Sequence, residues 1–132
     1  MASMIGYITL GTNDLQRAGQ FYDELLSVLG ARRLMTDERM LGWGVNPADP
    51  MFSVIEPFDQ EPATVGNGVM IALNVETPEN VEAVYQKALS LGAADEGHPH
   101  DRGSTMGFYG GYFRDLDGNK LVAYCLGYSP GK

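Results

Sequence analysis

The apolar positions of this chain fall into two series that run in the same order. Ile5 to Leu10 is apolar and partly β-branched, which predicts a strand. From Asp14 to Leu29, the residues Leu15, Ala18, Phe21, Tyr22, Leu25, Leu26 and Leu29 recur at the spacing of an amphipathic helix. Asn13 or Asp14 supplies its N-cap, and Gly30 its stop. Three short strands are predicted next, Ala31 to Met35, Arg39 to Val45 and Met51 to Glu56. They are separated by Asp37-Glu38 and by Asn46-Pro47-Ala48-Asp49-Pro50.

Pro57 to Asn67, with Pro57, Pro62 and Gly66, reads as a connector. Gly68 to Val75 is then a strand. Thr77-Pro78-Glu79-Asn80 opens a helix with a cap and a first-turn proline. Val81, Val84, Tyr85, Ala88, Leu89 and Leu91 mark its apolar side, and Gly92 ends it. A weak strand at Ala94 to Gly97 passes into a loop, Gly97 to Gly107. Phe108 to Arg114, the turn Asp115 to Asn119, and Lys120 to Leu126 complete the series, and Gly127 to Lys132 reads as a frayed tail.

The two series are one plan written twice. A shift of 63 carries Ile8 to Ile71, Leu10 to Leu73, Tyr22 to Tyr85, Leu26 to Leu89 and Ser27 to Ser90. After one deletion, Gly30-Ala31 falls on Gly92-Ala93. Long-period repetition in a short chain points to duplicated supersecondary modules. The expectation is an α+β fold of two tandem βαβββ modules, forming an open, curved mixed sheet around a cleft. Module one covers about 4–57, the connector 58–66 and module two about 67–127, all within a single domain spanning 1–132.

Composition narrows the class without choosing a reaction. At 132 residues, with 44% hydrophobic and 20% charged residues, the chain fits one ordinary globular domain. No apolar run approaches the roughly 18 residues of a membrane span, and the start lacks the basic and apolar regions of a secretory signal. The lone Cys125 cannot form an internal disulfide, so a cytoplasmic location is expected. A net charge of −8 with nine scattered basic residues argues against nucleic acid.

Two βαβββ modules with a first helix written Asn13-Asp14-Leu15-Gln16-Arg17-Ala18, then Phe21-Tyr22, resemble the vicinal oxygen chelate superfamily. That group includes glyoxalase I, bleomycin-resistance proteins and extradiol dioxygenases. The closing stretch Tyr112-Phe113-Arg114-Asp115-Leu116-Asp117-Gly118-Asn119-Lys120-Leu121 is similar to its strand, Asp-Pro-Asp-Gly-Asn turn and last strand, with Leu116 where proline is usual. The resemblance covers nearly all of residues 5 to 126 and implies the fold. It does not choose among the many chemistries one fold can host.

It also implies where a metal would be held. Metalloenzymes of the group bind one divalent ion through four inward side chains, His or Glu, from the first and last strands of each module. Counted from the matching motifs, those positions are Tyr7, Glu56, Met70 and Val122. Only Glu56 is a ligand of the usual kind, since a thioether and a valine offer nothing to a hard or borderline cation. The usual metal site is therefore expected to be missing, and no cofactor is expected.

Strand alternation supplies the rest of the expected lining: Tyr7 and Thr9, Val54 and Glu56, Met70 and Ala72, Val122 and Tyr124, with Trp43 joining from the third strand. Glu56 is a candidate general base or ligand anchor, or else a carboxylate bonded to Tyr7 or Tyr124. Tyr109 and Tyr112, beside Gly107, Gly110 and Gly111, either line the mouth of the cleft or pack against the facing module. His98-Pro99-His100-Asp101-Arg102 is either a solvated loop or a lid bringing His98, His100 or Arg102 to a polar or anionic ligand. Cys125 reads as a buried small hydrophobe.

Three functions follow as alternatives. One is a metal-independent protein of the glyoxalase/bleomycin-resistance type, binding a small hydrophobic or aromatic molecule. Another is a lyase, isomerase or dioxygenase-type enzyme using an atypical metal site or Glu56 as base. The third is a dimerisation scaffold. Superfamily members commonly pair, so a homodimer is expected under each.

Overall fold

The computed structural model describes residues 3–130. The chain divides into two compact units, Met1–Gly66 and Asn67–Lys132. Each runs strand, helix and three further strands, the βαβββ order that the repeat predicts.

In the first unit β1 (Tyr7–Gly11) leads to α1 (Leu15–Ser27), then β2 (Arg32–Thr36), β3 (Met40–Gly44) and β4 (Met51–Ile55). The sheet order is β1-β4-β3-β2, with β1 parallel to β4 and the other neighbours antiparallel. Asp14 caps α1 by accepting the Arg17 backbone N–H at 3.0 Å. The buried stripe Ala18, Phe21, Tyr22, Leu25 and Leu26 lies at helical spacing. It packs on Leu10, Leu41, Trp43 and Val54 of the sheet, and each large apolar side chain buried there is worth about 1.5–3 kcal/mol.

The second unit repeats this with β5 (Ile71–Asn74), α2 (Pro78–Ser90), β6 (Ala94–Asp101), β7 (Tyr109–Arg114) and β8 (Lys120–Cys125). Its sheet order is β5-β8-β7-β6, with β5 parallel to β8. Thr77 caps α2 by accepting the Asn80 N–H at 3.1 Å, and Pro78 occupies the first turn. Val81, Val84, Tyr85 and Ala88 pack on Phe113, Leu121, Ala123 and Cys125. Both helices are followed by a glycine with positive φ, Gly30 at 77° and Gly92 at 104°. In the β7–β8 turn the buried Asp115 accepts the N–H groups of Asp117 and Asn119, both at 2.9 Å. That turn therefore depends on its aspartate and asparagine and tolerates Leu116.

Two segments differ from expectation. The weak strand at 94–97 continues to Asp101, so the predicted loop at His98 to Asp101 is strand β6. β6 is an edge strand whose pairing slips twice, and Pro99 is admissible there because an edge strand need not donate on both sides. The tail is docked, not frayed, as far as Tyr128. The N–H groups of Gly127 and Tyr128 donate to the carbonyls of Met106 and Gly107, at 2.9 and 3.0 Å. Residues 131 and 132 of the predicted tail, like Met1 and Ala2, lie outside the described residues.

Candidate functional site

Each sheet has one face under its helix and one face turned away from it, and strand register sorts the candidate residues between the two. In unit one, Ile8 pairs with Phe52 and Leu10 with Val54, while Tyr7 pairs with Met51 and Thr9 with Ser53. Phe52 lies 4.8 Å from the Tyr22 ring of α1, so Phe52 and Val54 share the helix face. Tyr7, Thr9, Met51 and Ser53 take the opposite face, on which Ser53 is fully buried.

Two expectations fail here. Val54 is 1% exposed and belongs to the core under α1. Trp43 pairs with Phe52 and joins the same core, its ring 5.7 Å from Tyr22 and its Nε1–H donated to the Asp23 carboxylate at 2.7 Å. In β4 the open face belongs to Met51 and Ser53, one residue out of step with the expected Val54 and Glu56, and a one-residue step exchanges the faces.

Glu56 moves for the same reason. Val122 pairs with Ala72, and the repeat carries Ala72 back to Thr9, whose partner is Ser53. Ser53, not Glu56, is thus the unit-one counterpart of Val122. Glu56 follows the end of β4 and is exposed, and its alternation matches Val54 on the helix side. It borders two grooves of unit one. One, of about 750 Å³, runs past Asp14, Gln20, Arg33, Asp37 and Leu41; the other, of about 540 Å³, is lined by Asn13, Arg39 and Glu61. The Glu56 backbone N–H donates to the Arg39 carbonyl at 2.8 Å, and its backbone carbonyl accepts from the Arg39 guanidinium at 3.3 Å.

In unit two the open face gathers more of the expected residues. Ala72 pairs with Val122, Val122 with Tyr112, and Tyr124 with Gly110. Met70 immediately precedes β5 with the alternation of Ala72, and it is 40% exposed. Tyr109 stands three residues from Tyr112 and takes the other face. There it donates its hydroxyl proton to Glu82 of α2 at 2.9 Å, and its ring lies 4.6 Å from that of Tyr128. Burial, then the Glu82 bond, pushes its pKa up to about 12. Cys125 is buried on that same helix side, and burial raises its thiol.

His98 and His100 are exposed and stand two residues apart on β6, their rings 5.0 Å from one another. His100 pairs with Gly110, so both belong to the open face of Tyr112 and Tyr124. The His100 Nδ1–H is assigned as donor to the His98 carbonyl at 2.9 Å. Arg102 is not a free lid. Its guanidinium donates to the carbonyls of Gly97, His98 and Gly110 at 2.9 to 3.2 Å, fastening β6 to β7 where the ladder slips.

Two residues of this face were not singled out from sequence. Phe108 stacks on Tyr124 with centroids 5.0 Å apart and planes 3° from parallel. Lys120 reaches over the Tyr112 ring at 5.3 Å. The alternation Lys120, Val122, Tyr124 carried the signal for Lys120. The position of Phe108 depends on the loop before it and left no periodic trace.

Two βαβββ units, each an open mixed sheet with its first strand parallel to its last, define the class of fold. Residues 4–122 match the Glyoxalase/Bleomycin resistance protein/Dioxygenase superfamily, and the chain belongs to that family. It is similar to a glyoxalase/bleomycin resistance protein from Albidiferax ferrireducens T118, with 31% identity over 93% of this chain and 98% of that one, at a TM-score of 0.84. A hypothetical protein, SA1046 of S. aureus, shares 28% identity over 95% and 94% of the chains, with a TM-score of 0.69. Lactoylglutathione lyase of Agrobacterium tumefaciens shares the fold at 20% identity over 93% of each chain, with a TM-score of 0.66. No curated protein matches the sequence. Among the described residues, no three or more His, Cys, Asp and Glu side chains converge as a cation site.

Proposed function

We propose that this chain binds a small, flat, largely apolar organic molecule against its open sheet faces, without the divalent metal used by enzymes of its family. The observation that carries this reading is the strand register. The family resemblance points to Tyr7, Glu56, Met70 and Val122, and the strand register makes Ser53, not Glu56, the counterpart of Val122, which leaves Tyr7, Ser53, Met70 and Val122 at those positions. A phenol, an alcohol, a thioether and an isopropyl group do not fit a divalent cation that favours imidazole and carboxylate. Tyr112 and Tyr124 instead present a partly exposed aromatic surface over the buried Val122. The flat stacking of Phe108 on Tyr124 supports an affinity of that surface for planar rings.

Exposed apolar side chains at the starts of the two parallel strands, Ile5 and Tyr7 before and in β1, Val69 and Met70 before β5, favour a homodimer as the working form. Light scattering on the purified protein tests the dimer.

The binding reading is tested by fluorescence titration with N-phenyl-1-naphthylamine, a neutral planar probe, in buffer with and without EDTA, alongside elemental analysis of the protein. Saturable binding that EDTA leaves unchanged, with metal well below one ion per chain, is the expected result. One tightly held ion per chain whose removal abolishes binding would overturn the metal-free reading.

A further inference from the structure

We propose that the open face of the second unit selects an anionic aromatic ligand, one carrying a carboxylate, sulfonate or phosphate beside a planar ring. This inference rests on the binding reading above and adds the ligand's charge. The chain carries a net charge of −8, so its field as a whole repels anions. Yet two permanent cations converge on one ring of this face. Arg102 Cζ lies 4.8 Å from the centroid of Tyr112, and Lys120 Nζ lies 5.3 Å from it.

Their roles differ. Arg102 is fastened to three backbone carbonyls and cannot swing away, which makes it a fixed source of positive potential. Lys120 enters no ion pair among the described residues, so its ammonium is available to a ligand. The nearby Arg114 is already neutralised by Glu96 at 2.7 Å, leaving the excess charge centred on Tyr112. One strand away, Phe108 already covers one face of Tyr124, and a ligand ring would lie against this stacked pair. A planar ligand stacked in this region would set an acidic substituent within reach of Lys120, with His98 and His100 on the same face beyond.

The test compares two probes of one skeleton, 8-anilino-1-naphthalenesulfonate and the neutral N-phenyl-1-naphthylamine, in fluorescence titrations at low and high salt. Wild-type protein is expected to hold the sulfonate more tightly. Lys120→Gln should weaken the sulfonate by about fivefold, the effect of one charge near 4 Å in a water-filled site, and leave the neutral probe unchanged. Lys87→Gln, the same loss of charge on α2, should change neither. Salt at 0.5 M should erase most of the preference. Equal affinities for the two probes, or a sulfonate affinity indifferent to Lys120→Gln, would overturn the anionic inference while leaving the binding reading intact. Failure of wild-type protein to bind either probe would overturn both.

Discussion

Trp43 donates its indole proton to Asp23, from β3 to α1, and the same carboxylate holds Arg33 through two hydrogen bonds of 2.8 and 3.2 Å. One acidic side chain on the helix thus satisfies a buried indole and anchors β2. Asp23→Ala would leave the indole N–H buried without an acceptor, a loss of about 1–3 kcal/mol. For a chain of this size that is a fall in Tm of roughly 4–10 °C. Asp23→Asn, which keeps an acceptor oxygen, should recover much of it. Differential scanning calorimetry of the two variants decides the matter, and equal losses would refute the role given to the hydrogen bond.

The same placement predicts a spectroscopic result. Trp43 is the single tryptophan and is 1% exposed beneath α1. Acrylamide should quench its emission only weakly in the folded state and strongly in urea. Strong quenching under native conditions would return Trp43 to an open face.

Alkaline pH should unfold the protein through two tyrosines. Burial, reinforced by the bond to Asp95, raises the Tyr85 pKa to about 12, and Tyr109 is raised to about 12 by burial and Glu82. Both phenols keep their protons in the folded chain above the ordinary value of 10, at which the unfolded chain releases them. Their contribution is complete below pH 10 and is lost between about 10 and 12. Chemical denaturation across that range should show stability falling with pH, and Tyr85→Phe with Tyr109→Phe should flatten the fall. Asp95, lowered by the Gly97 N–H and then by Tyr85, acts at the opposite end, losing its contribution as pH falls through its folded value.

The repeat made the architecture legible because apolar period, caps and glycine stops agree in both units: Asp14 and Gly30 in one, Thr77 and Gly92 in the other. The site was legible only where register could be counted from a nearby landmark. The Asp115 to Asn119 turn fixes the alternation of β8, which sets Val122 and Tyr124 on the sheet face turned away from α2. β3 and β4 lack such a landmark, and there Trp43, Val54 and Glu56 alternate with the helix side, opposite to expectation. Tyr109 and Tyr112 stand three residues apart, an odd step that alternation places on opposite faces. β6 escaped because proline and glycine conceal an edge strand held by a side chain, Arg102, in place of a regular ladder.

Gly111 carries a packing constraint that its sequence context only hints at. A Cβ there would stand 2.8 Å from Pro99 Cγ and 3.1 Å from Tyr85 Cδ1, inside the core between β6 and α2. Neither a proline ring nor a tyrosine tethered to Asp95 can move aside without loss. Gly111→Ala should cost about 1–3 kcal/mol by overpacking, measured by urea denaturation. A variant as stable as the wild type would show that this core has slack.

Glu56 offers the clearest separation between an enzyme working through a carboxylate and a binding protein that does not. It is exposed beyond the end of β4, aligned with the helix side, and its bonds to Arg39 use only backbone groups that a substitution preserves. Glu56→Gln should therefore shift stability by no more than about 0.5 kcal/mol, as expected of an exposed side chain. Binding of N-phenyl-1-naphthylamine should be unchanged, because that probe would occupy the open face and not the grooves beside α1. A large loss of probe affinity in Glu56→Gln, with folding intact, would move the binding site to those grooves and restore Glu56 as its anchoring group.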